Sequence, residues 1–304
     1  MGIAQEFFNN LEFNGYNLGT EFSMPIYEEL DDILANIELE DKRNNWTSYS
    51  FNGFNVPRVT HIIGDTINKE YLTKWAARLG ESYNKEMSTI LDTGSLTHAM
   101  IEDFINYGKI LPEYVGFDFA DQLQAMKAYH NFKNFWADMK TKGYVIEPIA
   151  TETPFSTPWY GGTIDFIARI TSPTGESKLF ILDFKTSKKI SYTYFLQLIM
   201  YANAYTFLRE NAHLIQKPIF ETDYGPINGV GVIRIDKEKD KYEYVLADLF
   251  VDIEFISHLQ DAASSMICWY YNMNNIDTQY RIFRNNYLER GGISGIYRWS
   301  IVYK

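Results

Sequence analysis

The change of hydrophobic period at Tyr144 constrains this chain more than any other feature. Upstream, apolar residues recur at three- and four-residue spacing, as in Leu123, Met126, Phe132 and Phe135, which predicts helix. From Tyr144 onward the period falls to two, and strands are predicted over about residues 145–155, 161–170 and 178–185. Thr157-Pro158 and Ser172-Pro173-Thr174-Gly175 supply the turns between them. A helix over 192–210 follows, with Phe195, Leu198, Ala202 and Tyr205 on one stripe. Strands over 229–235 and 242–246, joined by the charged turn DKEKDK, precede a last helix over 248–274. Before the switch, helices are expected over 66–79, over 81–107 with a break near Gly94, and over 118–142 with Gly143 as the stop. Residues 46–56 read as a hairpin and 1–45 as acidic, helical and irregular. The expected class is α/β, a central mixed β-sheet flanked by helices with an N-terminal helical embellishment.

Several function classes are excluded. No run approaches the eighteen or so apolar residues a membrane span needs, so no membrane partner is expected. The lone Cys268, in the apolar run MICWYY, reads as a buried, inert thiol and rules out an intrachain disulfide or a cysteine-ligated iron–sulfur cluster. The segment MGIAQEFFNN has no basic region followed by an apolar one, and Glu6 stands where a myristoylation signal has Ser or Thr. A cytoplasmic location is expected, the host's cytoplasm if the chain is phage-encoded. A net charge of −11 opposes nonspecific coating of nucleic acid but leaves room for a local basic channel.

Within the strands, alternation sorts the side chains. In FILDFKTS, Ile181, Asp183 and Lys185 share one face, and Phe180, Leu182 and Phe184 the other. Asp183 and Lys185 are then about 6.5–7 Å apart at Cα and reach one phosphate. In GGTIDFIARI, Asp165 shares a face with Thr163 and Ile167. If these strands pair, the two carboxylates converge on one cation. Magnesium takes hard oxygen ligands from one or two carboxylates plus water and phosphate, and lowers the pKa of a bound water. Lys185 orients that water or offsets developing negative charge. His98 and Glu102, four residues apart, share a helix face, as do Gln197 and Tyr201. Either pair alone is more often ordinary packing.

Taken in order, His-x-x-x-Glu on a helix, Gly-x-x-Asp, Asp-x-Lys and Gln-x-x-x-Tyr resemble the PD-(D/E)XK nucleases of the RecB type. Phage exonucleases and the mitochondrial genome maintenance exonuclease are members. Pro57-Arg58-Val59-Thr60, the segment 72–77 and Gly94 also resemble phage members, and the likeness spans about residues 56–210. It implies a restriction-endonuclease-like core over 56–275, between an extension at 1–55 and a docked tail at 276–304. It implies Mg2+ or Mn2+ held by His98, Asp165, Asp183 and the Phe184 carbonyl, with Lys185 as the catalytic lysine. Glu102 would help set the metal site, Gln197 and Tyr201 would brace it or touch DNA, and Glu152 would support the ligands from behind. The implied activity is a metal-dependent deoxyribonuclease, an exonuclease of phage-type replication or recombination. DNA, single-stranded or with duplex ends, is the implied partner; a helicase or recombination partner and a homo-oligomer are both compatible. Some relatives carry a four-cysteine iron–sulfur cluster, and with its single cysteine this chain resembles the cluster-free members.

Thr186, Ser187, Lys188 and Lys189 follow the lysine and are placed to touch phosphates. Arg58, Lys74 and Trp75 are candidates for an entry channel, with Trp75 stacking a base. Arg281, Arg284, Arg290 and Arg298 interleave with Tyr280, Phe283, Tyr287 and Trp299 in the tail, as single-strand binding surfaces do. An ordinary docked tail explains that pattern equally well. The competing function is a catalytically silent protein of the same fold that binds nucleic acid or a partner. The acidic charge favours it, while the complete acid–lysine set favours the enzyme. No phosphate loop with Gly-Lys-Ser/Thr and no His-Glu-x-x-His motif is present.

Overall fold

The computed structural model describes residues 49–51, 54–67, 77–78, 80, 83–111, 118–157, 159–212, 220 and 222–273, without the side chains at 54–55, 83–89, 268 and 271–273. The expectations for residues 1–45, Lys74, Trp75, the Cys268 thiol and the tail arginines lie outside them.

A short hairpin comes first, β1 (Ser50–Phe51) paired antiparallel with β2 (Phe54–Asn55). Helix α1 (Val59–Thr66) follows directly. Most of the helix expected over 66–79 lies outside the described residues, of which 77 and 78 are helical; α1 itself was not foreseen, and it stops at Thr66, where Ile67 turns extended. Its sequence, VTHIIGDT, is rich in β-branched residues and poor in helix formers. Tertiary packing decides the matter, since Val59, Ile62 and Ile63 are buried.

Helix α2 (Tyr83–Tyr107) runs unbroken through Gly94, against expectation. Helix α3 (Phe119–Thr141) starts at the Asp118 cap, whose carboxylate accepts from the Phe119 amide. Gly143, with φ of 83°, turns the chain out of it in a conformation that glycine adopts without penalty. The expected stripe on α3 needs correcting at one end. Phe132 and Phe135 are buried, but Leu123 and Met126 face solvent. Asp121 and Asn131 take inward positions instead, because Thr93 donates to Asp121 and Asn131 donates to the carbonyls of Asp236 and Lys239.

Strands β3 (Val145–Ser156), β4 (Gly161–Thr171) and β5 (Ser177–Lys185) form an antiparallel meander. Helix α4 (Tyr192–Glu210) then crosses over, as a parallel neighbour requires, to β6 (Gly229–Ile235), which pairs parallel with β5. Strand β7 (Tyr242–Asp248) closes the sheet antiparallel to β6, giving the mixed five-stranded order β3-β4-β5-β6-β7. Helix α5 (Ile253–Met273) ends the described fold. It begins later than expected because Asp248 is still strand, its carboxylate accepting from the amides of Phe250 and Val251. The class is thus α/β, a mixed sheet flanked by helices.

One sheet face carries Phe166, Ala168, Ile170, Phe180, Leu182, Phe184, Ile233 and Ile235 against α2 and α3. Phe132 meets Phe184 edge to face at 5.3 Å. The other face, with Ile167, Ile181, Val230 and Val232, lies under α4, which also packs on α1 and α5 and is buried almost all round. Among the described residues, no helix is long and apolar enough to cross a membrane.

Candidate metal centre

Register builds the site. The pairs Ile167–Ile181 and Phe166–Leu182 across β4 and β5 place Asp165 opposite Asp183, one step further on. At that step the ladder gives way, and the Phe184 amide donates instead to Asp165 Oδ2 at 2.9 Å. Both carboxylates are buried, on the face that α4 covers.

Asp183 is fixed through one oxygen. Its Oδ1 accepts from Lys185 Nζ at 2.7 Å and from Gln197 Nε2 at 3.2 Å. Gln197 also donates to the Tyr201 hydroxyl at 2.9 Å, so the four-residue spacing on α4 delivers both side chains to one place. The other oxygen of Asp183 is buried with no hydrogen-bond partner in the protein. Burial holds the Asp183 carboxyl above its ordinary value, against the downward pull of the Lys185 ammonium. Burial opposes the charge on Lys185, but Asp183 and Asp165 outweigh it and raise its pKa. The Tyr194 ring lies 5.2 Å from the Lys185 ammonium, a cation–π contact. Burial and the two aspartates hold the Tyr201 phenol well above its usual value. Gly162 makes room for that ring, since a Cβ there would sit 2.9 Å from Tyr201 Cε1.

His98 enters from α2, on the opposite side of the sheet. Its Nε2 lies 3.0 Å from the Phe184 carbonyl, an acceptor, so Nε2 carries a proton. Its Nδ1 then faces Glu152 Oε1 at 3.4 Å and Asp165 Oδ2 at 3.5 Å. A ring nitrogen between two carboxylates needs a proton or a cation. Burial favours the neutral ring, yet Asp165 and Glu152 prevail and hold the pKa up at about 9. Glu152 itself has φ of 39°, in a strand whose register shifts between Pro148 and Ala150. Glu102, one turn along from His98, accepts from Thr151 Oγ1 at 3.4 Å, and burial and then the Glu152 charge raise its pKa.

The donor set suits a divalent cation. Ligand atoms of His98, Glu152 and Asp165 all lie within 4.8 Å of one another. The set expected from sequence was His98, Asp165, Asp183 and the Phe184 carbonyl. The structure groups Glu152 with His98 and Asp165, engages the Phe184 carbonyl with His98, and engages Asp183 with Lys185.

The expected substrate residues are distributed around this centre. Lys188 and Lys189 are exposed, Thr186 is half-buried, and Ser187 Oγ donates to the Lys189 carbonyl at 2.9 Å. Arg58 lies over the Tyr49 ring at 5.5 Å, and the Tyr49 hydroxyl bonds Thr163 Oγ1 at 2.7 Å, two residues from Asp165 on its face. Sequence reasoning missed Tyr49, Tyr194 and Arg234. Arg234 is buried beside Lys185 in the parallel pair, donating to Glu243, to Asp236 and to the Ser187 carbonyl at 3.1 Å. A charge inside the apolar run GVGVIRI was the one available signal. No protein-family model matches this chain, and no curated protein matches it.

Proposed function

We propose that this chain is a Mg2+- or Mn2+-dependent deoxyribonuclease of the PD-(D/E)XK, RecB-type class, an exonuclease acting in the cytoplasm on DNA. One observation carries the reading: Lys185 and Asp183 meet at 2.7 Å at the end of β5, opposite Asp165. The meander β3–β5 followed by a helical crossover to a parallel β6 supports a restriction-endonuclease-like core.

A bound divalent cation supplies charge neutralisation on the phosphate and a water of lowered pKa. Asp165, Asp183 and His98 would hold it. Asp183 keeps Lys185 protonated and aimed, so that its ammonium orients the attacking water and offsets charge on the phosphoryl oxygens. Gln197 and Tyr201 fix the Asp183 carboxylate. Exposed Lys188 and Lys189 meet flanking phosphates.

The test uses linear DNA, single- and double-stranded and labelled at either end, beside a closed circle, with Mg2+, Mn2+ or EDTA. Cleavage of linear DNA is expected, sensitive to EDTA and lost in Asp183→Ala and Lys185→Ala. Cleavage that survives both substitutions overturns the site. The net charge of −11 favours a second reading, a silent nuclease-fold protein. DNA binding without any metal-dependent cleavage would select it.

A further inference from the structure

We propose that Glu152 is a ligand of the cation, in the place expected for the Phe184 carbonyl, and that its left-handed backbone is maintained to aim it. The inference rests on the metal-dependent reading of this site and concerns which atoms complete it.

The ring of His98 decides which atoms are free. Its Nε2–H is committed to the Phe184 carbonyl at 3.0 Å, which turns that carbonyl toward the histidine. Such a bond from the far nitrogen is the usual way a ligating imidazole is oriented. The nitrogen left to ligate is Nδ1, and the atoms it faces belong to Glu152 and Asp165, at 3.4 and 3.5 Å. An octahedral cation with ligands at about 2.1 Å sets neighbouring donor atoms about 3 Å apart. A few tenths of an ångström of closure on the two edges at Nδ1 brings them to that spacing, and the third edge, from Glu152 to Asp165, lies within 4.8 Å.

The backbone of Glu152 points the same way. It is the one non-glycine residue with positive φ among the described residues. Such a conformation costs an L residue free energy and persists only where its surroundings impose it. A third carboxylate borders the same space. Asp183 stands opposite Asp165 and presents a buried Oδ2 that no protein group satisfies. One imidazole nitrogen among carboxylates favours Mn2+ over Mg2+, since nitrogen donors suit transition metals better.

The experiment titrates MnCl2 and MgCl2 into the full chain by calorimetry without DNA, and follows thermal unfolding with and without Mn2+. The unsubstituted chain is expected to bind Mn2+ more tightly than Mg2+. Glu152→Gln, which keeps length but loses charge, and Glu152→Gly are each expected to bind Mn2+ at least about tenfold more weakly. Without metal, Glu152→Gly is expected to melt no lower than the parent, because glycine accepts this φ. Glu147→Gln, exposed on the same strand, is expected to bind as the parent does. Parental Mn2+ affinity in both Glu152 variants overturns the ligand assignment and leaves the metal-dependent reading standing. A metal-free melting point several degrees lower in Glu152→Gly overturns the claim that its backbone is held for binding. No Mn2+ binding by the parent sinks both readings. Binding weakened by the Glu152 variants, with no DNA cleavage by the parent, keeps the ligand and sinks the nuclease.

Discussion

Gln197 donates to Asp183 across 3.2 Å, joining the crossover helix to the strand that carries the acid–lysine pair. With the same nitrogen it reaches the Tyr201 hydroxyl, so one amide fixes both a carboxylate and a phenol. Replacing it with Leu leaves buried oxygens short of donors. We expect Gln197→Leu to lose about 1–3 kcal/mol of stability, read by urea unfolding, and to lower metal-dependent cleavage more than DNA binding.

Charge removal at Asp183 and at Lys185 is expected to act oppositely on the metal-free protein. Asp183→Asn relieves a carboxylate that is buried and faces Asp165, so the metal-free variant should be no less stable than the parent while losing cleavage. Lys185→Met leaves the Asp183 charge uncompensated and should cost about 3 kcal/mol or more. Denaturant melts of both variants in EDTA check this, and equal destabilisation would contradict it.

Space over the Gly-Gly pair is already filled. The methyl of Gly162→Ala would lie 2.9 Å from Tyr201 and 3.0 Å from Phe155. Overpacking of this kind costs about 1–3 kcal/mol. Because Tyr201 shares Gln197 with Asp183, activity should fall as well. Gly175→Ala, with open space but φ of 88°, should lose stability through backbone strain with activity retained.

A pH dependence arises away from the site, at the junction of β5 and β7. Lys178 donates to Asp248 at 2.6 Å. Burial raises the Asp248 carboxyl, but Lys178 and the amides of Phe250 and Val251 outweigh it, and its pKa is lowered. A folded-state value below the unfolded one gives stability that is complete above the ordinary carboxylate range and is lost as pH falls through the folded value. Asp248→Asn should therefore cost about 1–2 kcal/mol at pH 7 and progressively less toward pH 3. A difference between the two proteins that stays constant across that range would refute the assignment. Lys178, whose pKa is raised, loses its share only at alkaline pH.

Much of the fold was legible because it is local. The spans of α4 and β6 match their expected limits of 192–210 and 229–235, and β3 to β5 differ from theirs by a residue at an end. Alternation within FILDFKTS put Asp183 and Lys185 on one face, and the structure pairs them. What failed was set by distant partners. The first helix forms from β-branched residues because α4 and α5 bury its face. Asp121 and Asn131 turn inward because Thr93 donates to the one and the turn after β6 accepts from the other, and Leu123 and Met126 are left outside.

By itself the sequence determined which side chains share a strand face or a helix turn: Asp183 with Lys185, Gln197 with Tyr201, His98 with Glu102. Those relations are repeats of backbone geometry over a few residues. Only the tertiary structure decided that Asp165 stands opposite Asp183, that His98 offers Nδ1 rather than Nε2, and that Glu152 turns inward at a φ of 39°. Each depends on hydrogen bonds between segments far apart in the chain, whose register no local period encodes.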